Sequence, residues 1–351
     1  MSWIVQTPDE WLAALIKPSF KTGERFVINT EDYLVVCAGF EDRALAVLQN
    51  TVLIQTSCTV LLINYLPFLS ENKANDIRSI CQRAGHKVID VTYNREEPSG
   101  FGEILLEKLL ICRGRIFIDI SAMSRLLIVQ VIVALRTRPA GFDNCFVMYA
   151  EAKEYPPSQT EAEAKLAQSQ SDPAFSIFFL SSGVFDITVI PELSSFAPAV
   201  AQTRLIAFPS LDAHQLTALR AEIQPSRISL IEGVPPSSQN KWRKQVIEAI
   251  NGLDQFQDNE KMSTSTFDYQ ETLDSLLKLY AQHSVFERLL ISPTGSKMQT
   301  VAVGLFRAFI EDVQIVYPTP VSFLKPDAYT TGVGSIHILP LSTYSPIPTT
   351  G

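Results

Sequence analysis

Several features are scarce in this chain, and each scarcity closes a class of function. Cysteine occurs five times (Cys37, Cys58, Cys81, Cys112, Cys145), only in the first half, mostly inside apolar segments and never as a C-x-x-C pair. Buried free thiols in a reducing compartment are therefore expected, and a zinc site is not. The four histidines (His86, His214, His283, His337) share no metal-ligand spacing, so no metal is expected. No apolar run reaches membrane-spanning length, and no basic-then-apolar leader opens the chain. The expectation is a cytoplasmic protein with no membrane partner. Basic residues are in deficit: 29 Lys and Arg stand against 37 Asp and Glu, a formal net charge of −8. That balance argues against a surface for long nucleic acid, while a pocket for a small anion needs only a few residues. No G-x-G-x-x-G, Walker lysine loop or G-x-S-x-G elbow occurs, so no dinucleotide cofactor, or any other, is expected.

What is present is apolar and periodic. The 351 residues are 46% hydrophobic and 19% charged, enough for two buried cores and too apolar for disorder. One stretch organises the reading. Residues 286–291 read as a strand entering a sheet core, because Leu289-Leu290-Ile291 run together without alternation; Pro293-Thr294-Gly295-Ser296 reads as a turn and residues 297–310 as an amphipathic helix. A strand that ends in small residues and feeds a helix directs free N–H groups at one spot, which attracts anions. The same order recurs over residues 115–135, where Ser124-Arg125 stands in the place of Ser296-Lys297.

The rest of the chain alternates in the same way. Thr7 caps a helix with Pro8 in its first turn, running to about Ile16 after a short opening strand. Strands are expected over 33–38, 59–65, 87–93 and 145–150, with helices over 44–48, 72–84 and 101–110. Residues 152–172 read as a polar insertion, partly helical over 161–168. An antiparallel hairpin is expected from 174–180 and 184–190 about the turn Ser181-Ser182-Gly183, and residues 193–201 form the linker. Further strands are expected over 205–209, 227–232, 262–267 and 313–317, with helices over 213–223, 241–250 and 270–282. Pro318-Thr319-Pro320 closes the last of these strands, and the strand at 227 answers the one at 33, with Gly233 in the place of Gly39. Residues 183–191 match residues 332–340 in order, spacing and terminal Pro, which points to duplication. The expected fold is α/β: two tandem Rossmann-like domains, residues 1–200 and 201–351, with mostly parallel sheets and a terminal β-hairpin in each.

In parallel sheets the loops after the strands gather at one edge, where ligands bind. In the first half the candidate binding residues are Gly39, Glu41, Asp42 and Arg43, with Asp119, Ser121, Ser124 and Arg125. In the second they are Ser237, Ser238 and Gln239, with Thr294, Gly295, Ser296 and Lys297. Packed by pseudo-twofold symmetry, these loops would meet at one cleft between the halves. Ordinary helix caps explain a single Ser/Gly turn, and helix-start charge explains Glu41-Asp42-Arg43. Asp119, inside an apolar strand, calls for a partner such as Arg43 or Arg125.

Pro293-Thr294-Gly295-Ser296-Lys297-Met298 resembles the Thr-Gly-Gly-Thr-Lys-like turn of CRISPR-associated Rossmann-fold (CARF) sensor domains and of their fused relatives, the SAVED domains. Ser237-Ser238-Gln239-Asn240 is similar to their polar first-strand loop, and the likeness covers about residues 205–317. The resemblance implies a sensor of a nucleotide or cyclic oligonucleotide second messenger in bacterial antiviral defence, with a protein effector subunit as a further candidate partner. Two other readings stay open: a ring-nuclease-like phosphodiesterase degrading such a messenger, and a non-catalytic interaction subunit of a defence complex. No catalytic residue is assigned.

Overall fold

The computed structural model describes residues 7–14, 21–22, 27–50, 52–172, 175–195, 202–253, 260–324 and 329–342. The expected opening strand, residue 174 and most of the linker at 193–201 lie outside the described residues. The chain forms two compact units. One, here the first unit, is Ala14–Tyr155 with Pro326–Gly351; the second unit is Met1–Ala13 with Pro156–Lys325. This division differs from one cut near residue 200, because residues 181–188 pair with residues 317–323 in the second unit and the C-terminal strand joins the sheet of the first.

Helix α1 (Pro8–Ala14) opens the second unit. Thr7 and Glu10 cap it reciprocally, the Thr7 N–H on Glu10 Oε2 at 3.0 Å and the Glu10 N–H on Thr7 Oγ1 at 3.5 Å.

The first unit continues with β1 (Lys21–Thr22), β2 (Tyr33–Cys37), β3 (Thr59–Leu66), α2 (Ala74–Ala84), β4 (Lys87–Asn94) and α3 (Phe101–Leu109). Strand β5 (Ile116–Asp119), α4 (Arg125–Arg136) and β6 (Cys145–Ala150) follow. The helix expected at 44–48 is instead a 3-10 turn over Asp42–Leu45, closed by i to i+3 bonds from Ala44 N to Glu41 O and Ala46 N to Arg43 O. Strands β2 to β6 are parallel and lie in the order β6-β5-β2-β3-β4. All five β2 residues are buried, as a strand covered on both faces requires.

The second unit continues with α5 (Gln159–Ser171), which extends the short helix expected in the polar insertion. Ser158 caps it by accepting the Glu161 N–H at 3.2 Å. Strand β7 (Ser181–Thr188), β8 (Gln202–Ala207), α6 (Ala213–Ile223), β9 (Arg227–Val234), α7 (Trp242–Ile250), β10 (Glu260–Ser265) and α8 (Tyr269–His283) come next. Then follow β11 (Glu287–Ser292), α9 (Lys297–Phe309), β12 (Gln314–Ile315) and β13 (Tyr317–Phe323). Strands β8 to β12 form a parallel sheet in the order β10-β9-β8-β11-β12. In both units, then, the third, second, first, fourth and fifth parallel strands lie side by side. Both are α/β units of Rossmann-like strand order.

The expected terminal hairpins are corrected. Residues 175–180 form no strand, and β7 pairs antiparallel with β13, more than 100 residues away in the chain. Strand β14 (Ile336–Pro340) lies antiparallel between β6 and β1 in the first unit. Pro318 and Pro320 lie inside β13 and do not close a strand; the register shifts between Thr319 and Pro320. A two-stranded ribbon tolerates residues without an N–H where an inner strand would not. Among the described residues, no helix is long and apolar enough to cross a membrane.

Candidate functional site

In sheets of this order, the strand sequence reverses between the first and fourth strands, and their following loops diverge to leave a crevice at the C-terminal edge. In the first unit this switch point lies between β2 and β5; in the second, between β8 and β11. The turns at 121–125 and 293–297 each follow the fourth strand, so both stand at a switch point. By topology β8 answers β2, which makes Phe208 to Asp212 the counterpart of the Gly39 loop. Gly233 lies inside β9, the second strand of its sheet, and the loop with Ser237 to Gln239 follows that strand.

At the first unit's edge, Gly39 is set against the 121–125 turn. A Cβ on Gly39 would stand 2.8 Å from Ala122 Cβ and 3.1 Å from its carbonyl oxygen, so only glycine permits this approach. The turn is tied down from three strands. Ser121 donates both its N–H (2.9 Å) and its hydroxyl to Asp119 Oδ1, while its Oγ accepts the Ala150 N–H at 2.8 Å. Tyr65, at the end of β3, accepts the Ser124 N–H at 2.5 Å and donates to Ala122 O at 3.4 Å. Burial holds the Tyr65 phenol well above its ordinary pKa, so it stays a neutral donor. Ser124 Oγ caps α4 through the Leu127 N–H at 3.3 Å.

Glu41 and Arg43, expected beside the ligand, are buried in a bond to each other. Arg43 Nε lies 2.8 Å and Nη2 2.7 Å from Glu41 Oε2, and Thr330 Oγ1 donates to the same oxygen at 2.6 Å. The Arg43 guanidinium also bonds Tyr149 Oη at 3.2 Å and lies over the rings of Tyr149 and Tyr155. Breaking a buried pair of this kind costs about 3–5 kcal/mol, whereas an exposed pair is worth at most about 1 kcal/mol. The Glu41–Arg43 pair is therefore structural. Asp42, by contrast, is exposed and only 3.7 Å-paired to Lys73.

The second unit's turn closes on itself. Thr294 Oγ1 donates to Phe208 O at 2.8 Å, joining the fourth-strand turn to the first-strand loop. Ser296 and Gln299 form a capping box: the Ser296 N–H meets Gln299 Oε1 at 2.9 Å, and the Gln299 N–H meets Ser296 Oγ at 3.1 Å. Ser296 Oγ also donates to Thr266 O at 2.6 Å, and Gln299 Nε2 to Thr264 Oγ1 at 3.0 Å. Gly295 fits because a Cβ would press on Gln299 Oε1 and come 3.1 Å from Phe208 Cβ.

The expected residues thus fall into two groups. Gly39, Glu41, Arg43, Asp119, Ser121, Thr294 and Gly295 are buried and shape the turns. Ser124, Arg125, Ser296 and Lys297 are half-buried at the helix starts, and Asp42, Ser237, Ser238 and Gln239 are exposed. The turns are less amide-rich than their sequence implies, since the N–H groups of Ser121, Ser124, Thr294 and Ser296 all have internal acceptors. Sequence reasoning missed Tyr65 and Gln299. Gln299 carried a signal, three residues after Ser296 in the capping-box spacing; Tyr65 carried none. Among the described residues, no three of His, Cys, Asp or Glu cluster as metal ligands.

No family model matches the chain, and no curated protein matches it. Among solved structures it is similar to the cytoplasmic domain of a prokaryotic cation chloride cotransporter, at 10% identity over 82% of this chain and 94% of that one, with a TM-score of 0.23. An adenylation, ketoreductase and pseudo Asub multidomain structure of a keto acid-selecting NRPS module shares 9% identity over 89% of this chain and 21% of that one, with a TM-score of 0.24. A ketoreductase domain from the bacillaene assembly line gives 11% identity, 84% and 68% coverage, and a TM-score of 0.18. Overlaps this small carry no argument about function.

Proposed function

We propose that the protein is a cytosolic sensor that binds a nucleotide or oligonucleotide second messenger at its switch points. One observation carries the reading: Ser124-Arg125 and Ser296-Lys297 occupy equivalent places, each starting the helix after the fourth strand. There a half-buried cation and a helix N-terminus act on the same anion, and the two effects reinforce each other. The buried groups behind each turn hold it in shape before ligand arrives, which lowers the ordering cost of binding. A role in antiviral defence rests on the CARF-like turn alone.

A thermal-shift panel of cyclic di-, tri- and tetranucleotides tests the proposal. At least one member should raise the unfolding midpoint, and Lys297→Ala and Arg125→Ala should each reduce the shift by removing the cation of its own unit's switch point. A panel without any shift would overturn it. Chromatography after long incubation should return the ligand intact; cleaved product would make the protein a phosphodiesterase.

A further inference from the structure

Two aromatic rings stand half-buried at the C-terminal edge of the first unit's sheet: Phe40, in the loop after β2, and Tyr329, in the segment before β14. Their centroids lie 5.4 Å apart with the planes at 75°, an edge-to-face pair. The corresponding loop of the second unit treats its aromatic differently: Phe208 is 2% exposed, and its carbonyl accepts Thr294 Oγ1. A single half-exposed ring on a protein surface needs no explanation. Two rings that face each other at a switch point, on segments from opposite ends of the chain, do.

A buried bond between their neighbours holds both rings in place. Thr330 Oγ1 donates to Glu41 Oε2 at 2.6 Å, and the same oxygen takes the Arg43 guanidinium. On its other side Phe40 adjoins Gly39, which packs against Ala122 and whose carbonyl accepts the Lys73 N–H at 2.9 Å. Neither neighbour of Phe40 can shift without breaking these contacts, so the ring is ordered before a ligand arrives. The Gly39–Ala122 contact also links the rings to the candidate anion site. Phe40 follows Gly39 directly, and Ser124-Arg125 follow Ala122 after one residue. The exposed Asp42 and half-buried Lys73, 3.7 Å apart, flank the same loop with one acceptor and one donor.

We infer that the Phe40–Tyr329 pair is a stacking platform for the base of a nucleotide whose phosphate lies at the start of α4. Every base has a flat π face, and a base laid alongside the ring that presents its edge also meets the face of the other. A purely apolar partner would strip water from the Asp42–Lys73 pair and return nothing, whereas a base carries donors and acceptors on its rim. With Phe208 buried, the counterpart ring of the second unit is closed to a base, so base recognition belongs to the first. The phosphate end rests on the nucleotide reading above; the platform itself uses neither of the cations that carry that reading.

Ribose 5-phosphate has the sugar and phosphate without a base, and the 5′-monophosphates of adenosine, guanosine, cytidine and uridine add only the base. Thermal shift and saturation-transfer NMR on the full chain, with each ligand at millimolar concentration, compare them. At least one monophosphate should bind roughly tenfold more tightly than ribose 5-phosphate, with its base protons the most strongly saturated. Phe40→Leu keeps apolar bulk without a ring and should erase most of that preference, as should Tyr329→Leu. Phe40→Trp keeps a ring and should retain it, a contrast that a packing role alone would not produce. Ribose 5-phosphate should bind all of these variants as it binds the wild type. Equal affinity for ribose 5-phosphate and every monophosphate, or a base preference that survives both leucine variants, overturns the platform and leaves the switch-point reading standing. A preference lost in Phe40→Leu but untouched by Arg125→Ala supports the platform and removes the phosphate from the start of α4. Binding of none of the five ligands overturns the platform, whatever the cyclic oligonucleotides do.

Discussion

Glu41 and His86 show how little a residue's neighbours in the chain reveal about its work. Glu41-Asp42-Arg43 reads as a solvated charge run, yet its outer members are buried against each other and only Asp42 meets water. Their partners, Tyr149, Ala150 and Thr330, lie more than 100 residues away. His86 is buried, and its Nδ1 accepts the Cys58 N–H at 3.1 Å. Burial lowers its pKa, and a proton on Nδ1 would confront a hydrogen already pointing there. As pH falls through about 6.5, the unfolded chain takes the proton first, and stability declines until the lower folded-state value is passed. Denaturant midpoints between pH 7.5 and 5 should therefore fall with acid, and His86→Gln should flatten part of that fall. Equal slopes in both proteins would refute the assignment.

Elements were more legible than side chains. Strands β3, β6 and β9 and helices α6, α8 and α9 fall within a few residues of where apolar period and turn residues place them. Helix α9 is buried on nearly every side, from Met298 to Phe309, so its start is also the best anchored part of the candidate site. Gln299 serves that start twice, through Ser296 N and Thr264 Oγ1. Gln299→Ala should lower unfolding free energy by about 1–3 kcal/mol, since the half-buried Ser296 N–H loses its acceptor and the buried Thr264 Oγ1 keeps only Thr272. Chemical denaturation checks the magnitude, and a loss within error of zero would show the box to be ornamental. The 3-10 turn after β2 reads as a helix over 44–48 in the sequence, because a single turn fixed by Arg43 and Glu41 has no period that tells the two apart.

At the scale of the molecule, the first unit is discontinuous. Its sheet needs β14, which covers the β6 edge, and Thr330, which bonds Glu41. A chain ending at residue 325 should lose the unfolding transition of the first unit, or aggregate through the bared β6 edge, and keep that of the second. Two intact transitions by calorimetry would show that β14 is dispensable.

The sequence by itself determined the α/β class, the alternation within each unit, the helix caps at Ser124 and Ser296, and the equivalence of the turns they end. These follow from local period and from side chains bonding within a few residues. Only the tertiary structure decided that β7 meets β13, that β14 joins β6, and that Tyr65 and Asp119 hold the first turn. Pairings between distant segments depend on which edges remain open after the sheets form, and no local pattern records that.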